Sequence, residues 1–338
     1  MYKDKPYLPD YYKHRIAVVG DGTYFTSLRN AMTECIKRYG FIAYSFKTIT
    51  EALDYNPTCV IVISPTAYIV PPRKNNILWV MVQCEQLFDR NSNQVFLKKN
   101  LIHIKPYLKN YDLILETCYN NVDKLAEITH ADVKFFSVQN YDIEKQDKLC
   151  LLNNSNAKEY DLIFVGDQSG VMNRRQELMS YLKERYHVYP KSDNLWGEER
   201  DLAISKSKIG LNIHFEESRY SDSFRWKFYI ENACMVLSEP VDYPYPYKLK
   251  EDYDEFLLTN ICEKIDYYLV NENERNRLVN HAFNTLHSKT LFDATKVFID
   301  WLIMKSYCLQ LEKDMHLYNK LMFNIRTSRK NRRRSLRK

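Results

Sequence analysis

Glycine is nearly absent from this 338-residue chain, with seven copies, at positions 20, 22, 40, 166, 170, 197 and 210. Glycine-rich repeats and a collagen-like period are therefore excluded. Long apolar runs are missing as well. The longest, such as residues 77–82 (ILWVMV), fall far short of the roughly 18 residues a membrane-spanning helix needs. The opening MYKDKPYLPDYYKHR lacks the apolar core of a signal peptide, so export by that route is not expected. The eight cysteines (35, 59, 84, 118, 150, 234, 262 and 308) never form a CxxC pair, and none has zinc-site spacing with histidine. They read as reduced thiols of a cytosolic protein. No GK[ST] occurs, which removes a Walker phosphate loop. What is present is ordinary for a globular protein: 45% hydrophobic, 27% charged, and a mean hydropathy of −0.50. At this length about two domains are expected.

The net charge of +6 has one source. Residues 326–338 (RTSRKNRRRSLRK) hold eight basic and no acidic residues, so the +6 of the whole becomes −2 for the remainder. This segment reads either as a solvated tail or as one that docks on phosphate, nucleic acid or anionic lipid.

Four of the seven glycines mark two similar places, RIAVVGDGTYFTSLRNAM and YDLIFVGDQSGVMNRRQEL. Each is a short apolar strand, then Val-Gly-Asp, then a polar loop, then a helix-period segment. Leu28, Met32, Cys35 and Ile36 form the first helical face, and Leu178, Tyr181 and Leu182 the second. A strand feeding a helix through glycine opens a βαβ unit. The two openings lie about one domain apart, which predicts two Rossmann-like α/β domains in tandem. Continuous apolar runs such as TCVIVIS and ILWVMVQC suit parallel strands buried on both faces. In the second half YHVYP, KSKIGLNIH and ACMVLSEPV read as strands. The join falls at the polar run Asn153-Asn154-Ser155-Asn156, giving domains over 1–152 and 157–290.

From residue 291 the pattern changes. Val297, Trp301, Met304, Cys308, Leu311, Met315, Tyr318 and Met322 alternate at spacings of four and three, a helical seam over 291–325 that precedes the basic tail. Three readings stand: a helix packed back on the domains, a dimerising coiled coil, and an amphipathic membrane-surface helix.

The candidate site residues gather where strands end. Gly20-x-Gly22 is followed by Phe25 where a dinucleotide fingerprint has its third glycine, so an NAD-dependent oxidoreductase ranks last. Asp252-Tyr253-Asp254 is a chance acidic triplet in a polar stretch. In the second half, Arg174 and Arg175 open the helix after Gly166, where unpaired N–H groups and a guanidinium suit phosphate oxygens. Asn212 and His214 close a strand, and Arg225 stands in the first turn of the next helix, with Glu231 beyond it. In the first half, Glu85 ends a buried strand, where a carboxylate is costly without a use or a partner. It is the candidate general base, with Asp21 second; as a helix cap Asp21 has a purely structural reading.

DLIFVGDQSGVMNRRQEL, SKSKIGLNIHFEES and RWKFYIENACMVLSEP, in this order and spacing, resemble the donor-binding domain of GT-B glycosyltransferases, of the spore-maturation-protein type of family-1-like enzymes. The resemblance covers residues 158–290. It implies an α/β GT-B fold, two Rossmann-like domains facing a cleft with a long C-terminal helix. It also implies Gly166, Arg174, Arg175, Asn212, His214 and Arg225 around a nucleotide-sugar donor, with a UDP-sugar foremost. Phe228 stands where the family has its ribose-binding acid, with Glu231 as a substitute; donor binding and an internal salt bridge both remain open for it.

The expectation is thus a metal-independent, hexosyltransferase-type enzyme without a cofactor. Its acceptor would be a glycan, a lipid-linked molecule or a polyanion, and its place the cytoplasm, with the inner membrane surface as a peripheral site. The rival readings are an inactive nucleotide- or sugar-binding module and a nucleic-acid-binding protein acting through its basic tail.

Overall fold

The computed structural model describes residues 14–20, 22–63, 77–85, 87–88, 108–137, 157–166, 174–193, 195–214, 219 and 222–335, with side chains of 22–24 and 324–335 excepted. Two separate parallel sheets carry the fold. The first comprises β1 (Arg15–Gly20), β2 (Ile42–Phe46), β3 (Cys59–Ile63), β4 (Leu78–Gln83), β5 (Leu113–Glu116) and β6 (Asp132–Phe135), in the order β2-β1-β3-β4-β5-β6. Helices α1 (Gly22–Arg38), α2 (Ile49–Asp54) and α3 (Tyr119–Ile128) accompany it. Alternate residues of one strand enter opposite cores: Ile61 and Ile63 pack with Leu28, Met32 and Ile36 of α1, while Val60 and Val62 pack with Met81, Ile114 and Leu125. Burial on both faces is why these strands are apolar throughout instead of alternating.

The second sheet comprises β7 (Tyr160–Ile163), β8 (Ser207–Asn212), β9 (Met235–Ser238) and β10 (Asp254–Glu255), in the order β10-β9-β8-β7. A single parallel bridge between Leu162 and Val188 adds a neighbour on the free side of β7. The predicted strand YHVYP is reduced to this one bridge. Helices α4 (Arg174–Lys183), α5 (Gly197–Ser205), α6 (Ser223–Glu231), α7 (Ile261–Val270), α8 (Glu272–His287) and α9 (Leu291–Ser335) follow in turn. Both sheets thus start alike: β1 lies between β2 and β3, and β7 between the Val188 bridge and β8. That order places a topological switch point at β1/β3 and another at β7/β8, the positions where doubly wound sheets open a crevice beyond their carboxyl ends. The two lobes are those predicted from the paired glycine turns; the predicted join at 153–156 lies outside the described residues.

The last helix returns to the first lobe. Phe292 stacks on Tyr39, just past α1, at 4.1 Å, and the Tyr39 hydroxyl donates to the Phe292 carbonyl. Trp301 Nε1 donates to Asp132 Oδ2 at 2.7 Å, and the His14 ring bridges Thr58 and Ser306. The buried residues are Leu291, Thr295, Phe298, Ile299, Trp301, Leu302 and Ser306. The expected seam is buried at Trp301 but exposed at Met304 and Cys308, because within this chain the helix is laid on a lobe surface by its neighbouring face. The element also runs on past residue 325, as far as Ser335. No helix among the described residues is long and apolar enough to cross a membrane.

Candidate functional site

The site in the second lobe is built around Arg225 and the β7/β8 switch point. Asp222 caps α6, accepting the Arg225 backbone N–H at 3.0 Å, and its other oxygen pairs with the Arg225 guanidinium at 2.9 Å. Across the switch point, Arg225 Nε donates to the Val165 carbonyl at 2.8 Å and a terminal nitrogen to Asn212 Oδ1 at 2.7 Å. One side chain therefore ties the ends of β7 and β8 to the start of α6. The Phe164 ring lies beneath the guanidinium. Gly166 sits against it with φ +151°, where a Cβ would be strained and 3.2 Å from an Arg225 nitrogen. Glycine is required there by backbone and contact together.

Tyr229, one turn along α6, supports this arrangement. Its hydroxyl accepts from the Val165 N–H and donates to the Leu211 carbonyl, each at 3.0 Å. Its ring lies so close on β8 that a Cβ at Gly210 would fall 2.6 Å from it.

A second cluster closes the end of β8. Arg174, the first residue of α4, makes a forked ion pair with Glu239 and donates to the His214 carbonyl at 3.2 Å. Glu239, buried just past β9, also accepts the His214 N–H at 2.7 Å. His214 Nε2–H donates to the Pro240 carbonyl at 3.1 Å, and burial holds the imidazole below its usual pKa of 6.5, so it is neutral at physiological pH. Arg175 donates to the Ile213 carbonyl at 3.0 Å and, like Arg225, lies over the Phe164 ring. Glu231 is placed elsewhere. It pairs with buried Lys227 on its own helix, and six residues past Arg225 is about 240° around the axis. The acidic triplet is structural in its contacts: Asp254 on β10 binds Lys250, Lys264 and Tyr268.

Glu85 faces these residues from the first lobe. It follows β4, partly buried, and its backbone carbonyl is gripped by the side-chain amides of Gln83 at 2.6 Å and Asn121 at 3.0 Å. Burial, together with the Asp222 carboxylate from the cap of α6, pushes the Glu85 carboxyl up to about 7. Behind it Glu116 is fully buried, accepts the Cys118 N–H at 2.7 Å, and is driven well above the usual carboxylate range by burial. Phe25 of α1 meets Phe224 of α6 edge to face at 6.1 Å, another contact between the lobes at this end.

Of the residues singled out in the sequence, the structure joins Gly166, Asn212 and Arg225 in one group and Arg174, Arg175 and His214 in an adjoining one. Asp21 lies outside the described residues. Sequence reasoning passed over Glu239 and Asp222. Glu239 carried the signal used for Glu85, an acid directly after an apolar strand run, and Asp222 that of a helix cap. Among the described residues no group of three or more His, Cys, Asp or Glu side chains is placed to hold a metal ion.

No family model matches this chain. Two uncharacterized proteins of Acanthamoeba polyphaga mimivirus are each 26% identical to it, one over 167 residues (49% of this chain and 51% of the relative) and one over 155 (43% and 49%). The chain spans about half the length of these curated relatives. Among solved structures, similarity extends to HepE of Anabaena in complex with UDP and glucose, at TM-score 0.56 and 6% identity over 86% of this chain and 99% of that one. A glycosyltransferase of Rickettsia africae ESF-5 gives TM-score 0.53 and 13% identity over 87% and 100%. The sucrose-phosphate synthase of Thermosynechococcus elongatus gives 0.53 and 10% over 88% and 100%. The fold is GT-B.

Proposed function

We propose that the protein is a glycosyltransferase that moves a sugar from a nucleotide-diphosphate donor, a UDP-sugar foremost, to a hydroxyl of its acceptor. One observation carries this reading: Arg225 straddles the β7/β8 switch point, while Glu85, from the other lobe, is near enough to the Asp222 cap of the same helix for the two carboxylates to repel one another. The switch point is where doubly wound sheets take ligands, and a guanidinium there with the amino end of α6 suits a diphosphate. The similarity of the fold to HepE, solved with UDP and glucose, supports the same choice of donor.

The chemistry follows from the placement. Glu85 takes the proton of the acceptor hydroxyl as its oxygen bonds to the anomeric carbon. The bond from that carbon to the diphosphate oxygen breaks, and the nucleoside diphosphate leaves carrying the electron pair. Arg225 and the α6 terminus balance its charge, so in this reading no resident metal is called on for that task. A carboxyl with pKa near 7 is matched to proton transfer at neutral pH. Arg174 and Arg175 shape the crevice beside it through the β8 carbonyls.

The test is donor hydrolysis across a panel of nucleotide sugars, for the native chain and Glu85→Gln. One donor should be turned over, and Glu85→Gln should still bind it while turnover falls by about 10²–10⁴-fold. Binding without any turnover in the native chain would favour the silent nucleotide-binding module. Loss of both binding and turnover in Glu85→Gln would make Glu85 structural.

A further inference from the structure

The last helix has two unlike halves. Up to Ser306 it is packed on the first lobe, whereas residues 310–321 are exposed all round. Met304, on the outer side of the packed half, and Leu311, Met315, Tyr318 and Leu321 beyond it are 55–64% exposed. At 100° per residue they fall, with Met322, within about 120° of one another, an arc interrupted by one acid, Asp314, while the opposite side carries Lys305, Lys313, His316 and Lys320 together with Phe323. Thirteen residues then end the chain with eight positive and no negative charges.

A second copy of the chain is the first occupant to consider, since the spacing is that of a coiled coil. The charges oppose it. A parallel pair would bring two such cationic ends together. An antiparallel pair would need an acidic strip to receive them, yet 291–323 alternates Asp293, Asp300, Glu312 and Asp314 with Lys296, Lys305, Lys313 and Lys320. An apolar strip broader than a two-position seam, followed directly by a polybasic run, matches in both respects an anionic bilayer surface.

We propose that residues 304–338 are a membrane-surface element, the apolar strip of α9 lying in the interface of an anionic bilayer and the cationic end binding its headgroups. The binding is independent of whether the cleft transfers sugar.

The test is co-sedimentation of the full chain with phosphatidylcholine vesicles, with and without phosphatidylserine, at low and high salt. Phosphatidylserine should raise the bound fraction about tenfold or more at low salt, and high salt should reverse the gain. Leu311→Glu with Tyr318→Glu should lower binding by a similar factor without moving the melting temperature, since both side chains are exposed. Removing 326–338 should abolish the salt dependence. The proposal is overturned by vesicle binding indifferent to phosphatidylserine, by binding unchanged in the double variant, or by a dimer in solution that the double variant dissolves. Retention on single-stranded DNA of equal charge density, with none on vesicles, would likewise overturn it.

Discussion

At the scale of single residues, Glu85 makes the sharpest prediction because its carboxyl is held far from 4.5, at about 7. A carboxyl whose folded pKa is raised favours the protonated form, so its contribution to stability is present below 4.5 and is lost as pH rises through 7. Glu85→Gln keeps the neutral form at every pH. It should therefore stabilise the protein by on the order of 1–3 kcal/mol at pH 8 and by almost nothing at pH 4, as urea melts at the two pH values would show. Native turnover should rise with pH through about 7 as the base ionises. Gly210→Ala is a second case: its Cβ would sit 2.6 Å from the Tyr229 ring, and unfolding should become easier by roughly 1–3 kcal/mol. The positions of Arg225 at a helix start and Glu85 after a buried strand were legible in the sequence because charged residues at strand and helix ends stand out against apolar runs. For Glu231 the sequence left donor binding and an internal salt bridge both open, since a pattern along the chain does not say which partner closes an ion pair; Lys227 does so from one turn away.

Among the elements, α9 separates what periodicity can and cannot tell. Its existence and its place after residue 290 were legible from apolar spacing. Which face it buries was not, because a four-three alternation fits neighbouring stripes on one helix and the lobe selects between them. The packed half is predicted to hold the fold and the rest to contribute little. Trp301→Ala, which empties a buried site and strands Asp132, should cost about 3–5 kcal/mol in chemical denaturation. Deleting 310–338 should leave stability within roughly 0.5 kcal/mol of the intact chain.

On the scale of the whole molecule, two lobes were readable because the chain repeats a strand-glycine-helix opening and because doubly buried strands are apolar throughout. The strand order within each lobe was not readable, since no residue pattern names a strand's neighbours. Yet that order is what gives Arg225 its meaning, by placing it where β7 and β8 part. Glu85 acquires its meaning only from the approach of the other lobe. The most direct measurement is calorimetric titration of UDP, GDP, CDP and ADP into the native chain and Arg225→Lys. One nucleotide should bind once per chain, and Arg225→Lys, which keeps the charge but loses the fork across the switch point, should weaken it about tenfold or more at a temperature where both proteins are folded. No binding by any of the four, or an affinity the same in both proteins, would contradict a diphosphate site at Arg225.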